Sequence, residues 1–336
     1  MKALVTGGGG FLGGAIVRLL VARGDEVRSF SRGEYPELTR LGVTLCRGDL
    51  ADRETLCRAA QGCDTIFHVA ARAGVWGSYA DYYRTNVTGT ENVIAACREM
   101  GIARLVFTSS PSVVFDGRDV EGGDESLPYP AHYEAHYPAT KAMAEKLVLA
   151  ANSPRLATVL LRPHLIWGPG DNHLVPRIIA RAKAGRLRRI GKRSCLVDTV
   201  YVDNAALAHL LASDRLAPGA PIAGRAYFIT NNEPLPLWEM VDRILAAAGL
   251  PQVTRSIPAG AAFAAGVILE ALWRTLRLPG EPPMTRFVAR EMATAHWFDI
   301  SAAIRDLGYH PAVSIDEGLK RLAGWLAHET RLNSSA

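Results

Sequence analysis

Two short stretches of this 336-residue chain combine residue types that do chemistry. In Thr6-Gly7-Gly8-Gly9-Gly10-Phe11-Leu12-Gly13, the residues Gly7, Gly10 and Gly13 are spaced three apart. Between a strand and a helix, the first such glycine allows a tight turn, the second lets backbone approach a pyrophosphate, and the third lets helix pack on strand. Backbone N–H groups and the helix N-terminus then hold the negative pyrophosphate, with Phe11 and Leu12 also at the cofactor. The second stretch is Tyr137-Pro138-Ala139-Thr140-Lys141. Its i, i+4 spacing sets Tyr137 and Lys141 on one face of a helical turn. An ammonium there is expected to lower a phenol pKa that starts near 10, so that Tyr137 exchanges a proton with a carbonyl or alcohol near neutral pH. Thr108-Ser109-Ser110 ends an apolar run 27 residues before Tyr137. Ser110 is placed to hold the reacting oxygen, and Lys141 to hold the nicotinamide ribose as well.

The end of the second strand distinguishes the two nicotinamide cofactors. A carboxylate there would bond a ribose 2′-OH and repel a 2′-phosphate. This chain has Ser31-Arg32 instead, a small hydroxyl and a guanidinium that grips phosphate, so NADP(H) is favoured. Asp49-Leu50 follows the third strand, and its aspartate reads either as an adenine-edge contact or as a surface turn. His164, after Arg162-Pro163, is read either as a contact to a substrate carboxylate or as a packed histidine. His132 and His136 have the i, i+4 spacing of a zinc pair, but Tyr133 stands where a metalloprotease needs glutamate, so a loop at the pocket mouth is expected and no metal. Asp198 and Asp203 are expected to order a turn and a helix start.

The elements that must position these residues alternate. Strands are expected at Lys2–Thr6, Glu26–Ser31, Val43–Cys46, Thr65–Val69, Arg104–Thr108, Ala157–Arg162 and Arg225–Thr230. Helices are expected at Gly13–Arg23, Arg53–Ala60, Thr85–Met100 and Pro138–Ala151, with further helical stretches to about Glu329 and a frayed tail at Asn333–Ala336. Strands separated by helices of this length form βαβ units on a parallel sheet.

The composition, 49% hydrophobic and 21% charged, excludes disordered, collagen-like and coiled-coil chains. The longest uncharged apolar stretch, Ser256–Leu269, is 14 residues, short of the ~20 needed to span a bilayer. No signal-peptide pattern opens the chain, and five cysteines without a CxxC pair read as reduced thiols, so a cytoplasmic location is expected. The net charge of +5 is concentrated in seven cations from Arg181 to Arg193. This run is either a solvated helix face or an anion site. Without interleaved aromatics or a recognised motif, it does not suggest nucleic acid. Pro258–Leu278, with Phe263, Val267, Ile268, Leu269, Leu272, Trp273 and Leu276, reads as a buried helix, a tunnel for alkyl chains or an interfacial helix on a membrane.

Thr6–Gly13, His68-Val69-Ala70-Ala71, Asn86-Val87-Thr88-Gly89-Thr90, Thr108–Ser110, Tyr137–Lys141 and Arg162-Pro163 resemble, in order, the motifs of the extended short-chain dehydrogenase/reductases. Gly168-Pro169-Gly170-Asp171, Val200-Tyr201-Val202-Asp203-Asn204-Ala205 and Leu307-Gly308-Tyr309-His310-Pro311 extend the likeness across nearly the whole chain. It is similar to the branch with 3β-hydroxysteroid and sterol-carboxylate dehydrogenases. Arg162–Asp171 most resembles bacterial 2-alkyl-3-oxoalkanoate reductases of long-chain olefin biosynthesis. The resemblance implies Ser110, Tyr137 and Lys141 as catalytic residues, with Ala70 and Pro163 at the cofactor. Trp167 and His164 would lie toward substrate. Asn86 either supports the core or relays protons. Ser31 departs from relatives that carry aspartate for NAD.

The expected fold is α/β, a doubly wound parallel sheet. An NADP(H)-binding unit would comprise residues 1–167 plus about 196–231, and a smaller substrate lobe about 168–195 plus 232–330. The expected activity is reduction of a 2-alkyl-3-oxoalkanoic acid. A 3β-hydroxysteroid or sterol-carboxylate dehydrogenase is the alternative within enzymes. An NADP(H)-sensing regulator without turnover is disfavoured, because Tyr137 and Lys141 are both present. Expected partners are an apolar keto or hydroxy acid, a second copy in a homodimer, a membrane surface and other enzymes of the olefin pathway.

Overall fold

The computed structural model describes residues 1–334. Seven parallel strands form the main sheet, in the order Arg225–Ile229, Ala157–Pro163, Arg104–Thr108, Thr65–His68, Lys2–Thr6, Glu26–Ser31 and Thr44–Arg47. The third strand by sequence is thus displaced by one residue from the expected Val43–Cys46. The central strands are buried on both faces, so Leu4, Val5, Ile66, Phe67, Leu105, Val106, Leu160 and Leu161 read as unbroken apolar runs rather than alternating ones. Helices cover both faces: Phe11–Ala22 packs against Val202–Arg215 on one side, and Arg53–Ala60, Gly89–Met100 and His136–Ala151 pack on the other. The fold is doubly wound, as expected.

The helix expected over Thr85–Met100 begins with a wide turn, Arg84–Thr88, in π-helical geometry. Such turns are rare and insert a residue into the regular ladder. Here the turn directs Asn86 inward. Its Oδ1 accepts the Arg72 N–H at 2.7 Å, and its Nδ2 donates to Arg72 O at 3.1 Å and to Thr140 Oγ1 at 3.0 Å. Asn86 therefore ties the segment beside Ala70 to the helix that carries Tyr137 and Lys141.

A second sheet of four short strands (Leu235–Pro236, Leu196–Val197, His296–Phe298 and Val120–Gly123) lies beyond the carboxyl ends of the main strands. A separate apolar cluster around Ile190, Trp238, Leu245, Val253 and Ala262 holds the helices Leu237–Ala247 and Ala259–Thr275. The latter helix presents an outward stripe of Val267, Ile268 and Leu272, continued by Leu276 just past its end. Ile268 is 66% and Leu276 61% exposed. Its only carboxylate, Glu270, is buried and bonded to Arg286. The exposed charges at that end are Arg274 and Arg277. No helix among the described residues is long and apolar enough to cross a membrane. The last helix, Ile315–Ser334, includes Asn333 and Ser334 of the expected frayed tail, and Ser335 and Ala336 lie outside the described residues.

Candidate active site

All seven parallel strands end on one edge, and ligands of such sheets sit outside that edge. A cleft of about 690 Å³ opens there. Gly7, Gly10, Phe11, Leu12 and Gly13 line one side, with Ser31, Arg32, Asp49 and Leu50 at its far end. Ala70, Ser110, Tyr137, Lys141 and Pro163 line the near end.

The glycines there are required by space. Gly7 has φ +71°, and a Cβ on Gly13 would lie 2.1 Å from the Gly7 carbonyl oxygen. The helix Phe11–Ala22 starts at Gly10 without a side-chain cap, so its first N–H groups remain free for an anion. A cradle this close, at an uncapped helix N-terminus, fits the pyrophosphate of a nicotinamide dinucleotide. At the far end Ser31 Oγ accepts the Gly9 N–H at 3.5 Å. Arg32 is exposed and has no ion-pair partner among the described residues. Asp49 borders the cleft and also orders a turn, its Oδ1 accepting the Ala51 N–H at 2.9 Å and its Oδ2 lying 3.3 Å from Arg84.

Tyr137 and Lys141 lie on the helix His136–Ala151, which begins two residues earlier than expected. The helix is anchored one turn further on by Glu145, which is fully buried. Glu145 accepts from Arg162 at 2.5 Å, from Tyr129 at 2.7 Å and from the Ser109 hydroxyl. Sequence reasoning missed Glu145. Its signal was its place four residues after Lys141, on the same face.

Lys141 Nζ donates to the Thr108 carbonyl oxygen at 2.6 Å and sits 4.1 Å over the Phe107 ring. Burial pushes its ammonium down to about 7, against the pull of Glu145. The expectation that Lys141 lowers the Tyr137 phenol is corrected. Burial raises that phenol above its ordinary value, and only the hydrogen bond with Ser110 acts the other way, while Glu291 and Tyr82 raise it further. The desolvation that weakens the ammonium also disfavours the phenolate. Tyr137 is therefore a protonated phenol at neutral pH, the form that donates to a carbonyl oxygen.

Two expected substrate contacts are not brought to the cleft. Trp167 is wholly buried, its Nε1–H donating to Thr199 Oγ1 at 2.9 Å and its ring edge-on to Tyr201. It is core because the chain turns inward there to pair Ile166–Trp167 with Val200–Tyr201. His164 is also buried and bonds to Asp198 rather than facing the cleft. His136 opens the helix that bears Tyr137 and packs edge-on to Tyr79 at 5.4 Å. The basic run divides among separate partners: Arg181 donates to Pro283 O, Arg189 pairs with Asp242, and Arg193 with Asp119 and Glu121. Sequence reasoning also missed Glu291, whose carboxyl burial pushes up to about 7 and whose charge raises the Tyr137 phenol.

A dinucleotide cradle joined to a Ser–Tyr–Lys cluster on a doubly wound sheet defines a nicotinamide-dependent oxidoreductase. The chain belongs to the 3-beta hydroxysteroid dehydrogenase/isomerase family, whose profile matches residues 4–259. It is 57% identical over 324 residues to a 2-alkyl-3-oxoalkanoate reductase of Stenotrophomonas maltophilia (strain K279a), covering 96% of this chain and 98% of that one. It is 51% identical over 328 residues to a 2-alkyl-3-oxoalkanoate reductase of Shewanella oneidensis, covering 95% and 85%. Among solved structures, UDP-glucose 4-epimerase of Thermus thermophilus in complex with NAD superposes with a TM-score of 0.73 at 26% identity, covering 97% and 99%.

Proposed function

We propose that this protein reduces a 2-alkyl-3-oxoalkanoic acid to the 2-alkyl-3-hydroxyalkanoic acid with NADPH. The observation that carries the reading is the protonated Tyr137 phenol, hydrogen-bonded to Ser110, at the near end of a dinucleotide cleft. The likeness to two reductases of that name, above half identity over nearly the whole chain, supplies the substrate class. When bound, a reduced nicotinamide would supply the hydride for the carbonyl carbon. Tyr137 gives its phenolic proton to the carbonyl oxygen, so ketone becomes secondary alcohol and the phenol is left as phenolate until solvent reprotonates it. Ser110 orients the carbonyl oxygen. Lys141, fixed by Thr108, holds the nicotinamide ribose. Arg32, unpaired beside Ser31, supports the choice of NADPH over NADH.

The outward stripe from Val267 to Leu276 supports a peripheral bilayer contact, with Arg274 and Arg277 toward anionic headgroups. Such a contact suits an enzyme whose substrate carries long alkyl chains.

The reading is tested by following NADPH oxidation with a long-chain 2-alkyl-3-oxo acid, a 3-ketosteroid and a UDP-sugar in parallel. The keto acid is expected to be turned over most efficiently, and more so as its chains lengthen, because each buried CH₂ contributes about 0.8 kcal/mol. Equal turnover of short and long keto acids would leave only a general ketone reductase.

A further inference from the structure

A buried polar chain joins the end of the strand Ala157–Pro163 to the small sheet, and the reduction makes no use of it. Asp198 Oδ1 lies 2.6 Å from His164 Nδ1, His164 Nε2 lies 3.2 Å from His296 Nδ1, and His296 Nε2 lies 2.9 Å from the Glu291 carbonyl oxygen. The other carboxylate oxygen of Asp198 accepts the Phe298 N–H at 2.8 Å. Asp198, His164 and His296 are only 1%, 8% and 6% exposed. Aromatic rings close around them, with Phe298 edge-on to His164 at 5.2 Å and Phe115 edge-on to His296 at 6.5 Å.

Counting protons along this chain gives an odd result. Its two ends, a carboxylate and a carbonyl, are both acceptors, and three hydrogen bonds lie between them. Two neutral imidazoles carry one N–H each, which supplies only two of the three protons. With neutral rings and an ionised Asp198, one link would face acceptor to acceptor in a site without solvent, a costly arrangement. One additional proton closes all three links and leaves the buried group with no net charge.

We infer that His164 holds that proton, as an imidazolium paired with Asp198, and that the closed chain fixes His296 in one tautomer and ties the Glu291 backbone carbonyl to the strand end that borders the cleft. His164 then donates from both nitrogens. His296 accepts at Nδ1 and donates its Nε2–H to the Glu291 carbonyl, in one fixed tautomer. His296 is the poorer seat for the charge, because burial and the neighbouring His164 push it down to about 3. The charged groups that face His296 are His164 and Asp119, and Asp119 is already paired with Arg193. Asp198 is thus the carboxylate left to balance His164. Glu291 ends the helix Arg286–Glu291, so the bond to its carbonyl ties that helix end to the buried chain.

The test needs no substrate. The full chain, labelled at histidine nitrogen, is examined at pH 7 by long-range proton–nitrogen NMR, with His164→Gln and His296→Gln used for assignment. Three nitrogen-bound protons are expected over the two rings, two of them on His164. In Asp198→Asn the amide donates to His164 Nδ1 while its oxygen keeps the Phe298 N–H, so the chain closes with neutral rings and two N–H protons are expected. Two protons in the unmodified protein, or three in Asp198→Asn, would overturn the assignment.

Discussion

Arg162 and Glu145 form an ion pair of 2.5 Å in which both side chains are almost wholly buried, at 4% and 0% exposure. Arg162 belongs to the strand Ala157–Pro163, whose last residue borders the cleft. Glu145 lies one helical turn after Lys141 and two after Tyr137. The pair therefore fixes the depth at which the catalytic helix sits against the strand edge that receives the cofactor. Arg162 also stacks over Phe228 at 5.0 Å, which extends the clamp to the edge strand.

Removing one member of a buried pair strands the other charge without solvent, at a cost of about 3–5 kcal/mol. Glu145→Ala is expected to lose stability on that scale in urea melts and to lose activity in what remains folded. A loss below about 1 kcal/mol would show that Tyr129 and Ser109 suffice to hold the helix.

Tyr137→Phe keeps the ring and removes the proton. Turnover is expected to fall by roughly two to four orders of magnitude, the usual scale of general acid work, with NADPH affinity nearly unchanged in a fluorescence titration. Retention of more than a tenth of the activity would assign the proton to another group.

Arg32→Ala removes a guanidinium at the far end of the cleft that has no ion-pair partner among the described residues. A charged hydrogen bond contributes about 1.5–3 kcal/mol, so a preference for NADPH over NADH of at least about tenfold is expected and should collapse in this variant. An unchanged ratio of kcat/KM for the two cofactors would rule out Arg32 as the discriminating residue.

Glu291 gives the protein a pH signature. Its folded pKa, raised to about 7 by burial, exceeds the unfolded value of about 4.5. Between those two values the folded state binds more protons than the unfolded state, so wild-type stability falls as pH rises through that window and levels off above it. Glu291→Gln lacks this dependence. Its stability relative to wild type is expected to improve by about 2 kcal/mol from pH 5 to pH 8, a figure reduced for water reaching a partly exposed residue. Parallel stability curves for the two proteins would contradict the buried neutral carboxyl.

The outward stripe of the helix Ala259–Thr275 is checked by co-sedimentation with vesicles. Binding is expected to vesicles containing phosphatidylglycerol and to be weaker on neutral phosphatidylcholine or in high salt, because the cations contribute about 1 kcal/mol each near an anionic surface. Ile268→Asp with Leu272→Asp is expected to abolish it while NADPH binding persists. A concentration-dependent dimer abolished by the same changes would instead assign the stripe to a second copy.

The sequence by itself determined the sheet and the cofactor cradle, because both are local. A strand–glycine–helix unit folds by contacts within about a dozen residues, and Gly10 and Gly13 are both held close to the Gly7 carbonyl. The Tyr137–Lys141 spacing is equally local, being one helical turn. Tertiary structure decided how that pair titrates. Burial dominates for both side chains, and the groups that act on them, Thr108, Ser110 and Glu291, come from elsewhere in the chain. It also decided between the readings left open for His164 and Trp167. Both follow the cleft residue Pro163 closely, yet a short strand pairing at Ile166–Trp167 turns them into the core. Asp198 and His296 reach His164 from 34 and 132 residues away, and no spacing rule connects side chains across such distances. Residues so far apart meet only when two sheets pack, and that packing is set by the sum of many weak apolar contacts rather than by any motif.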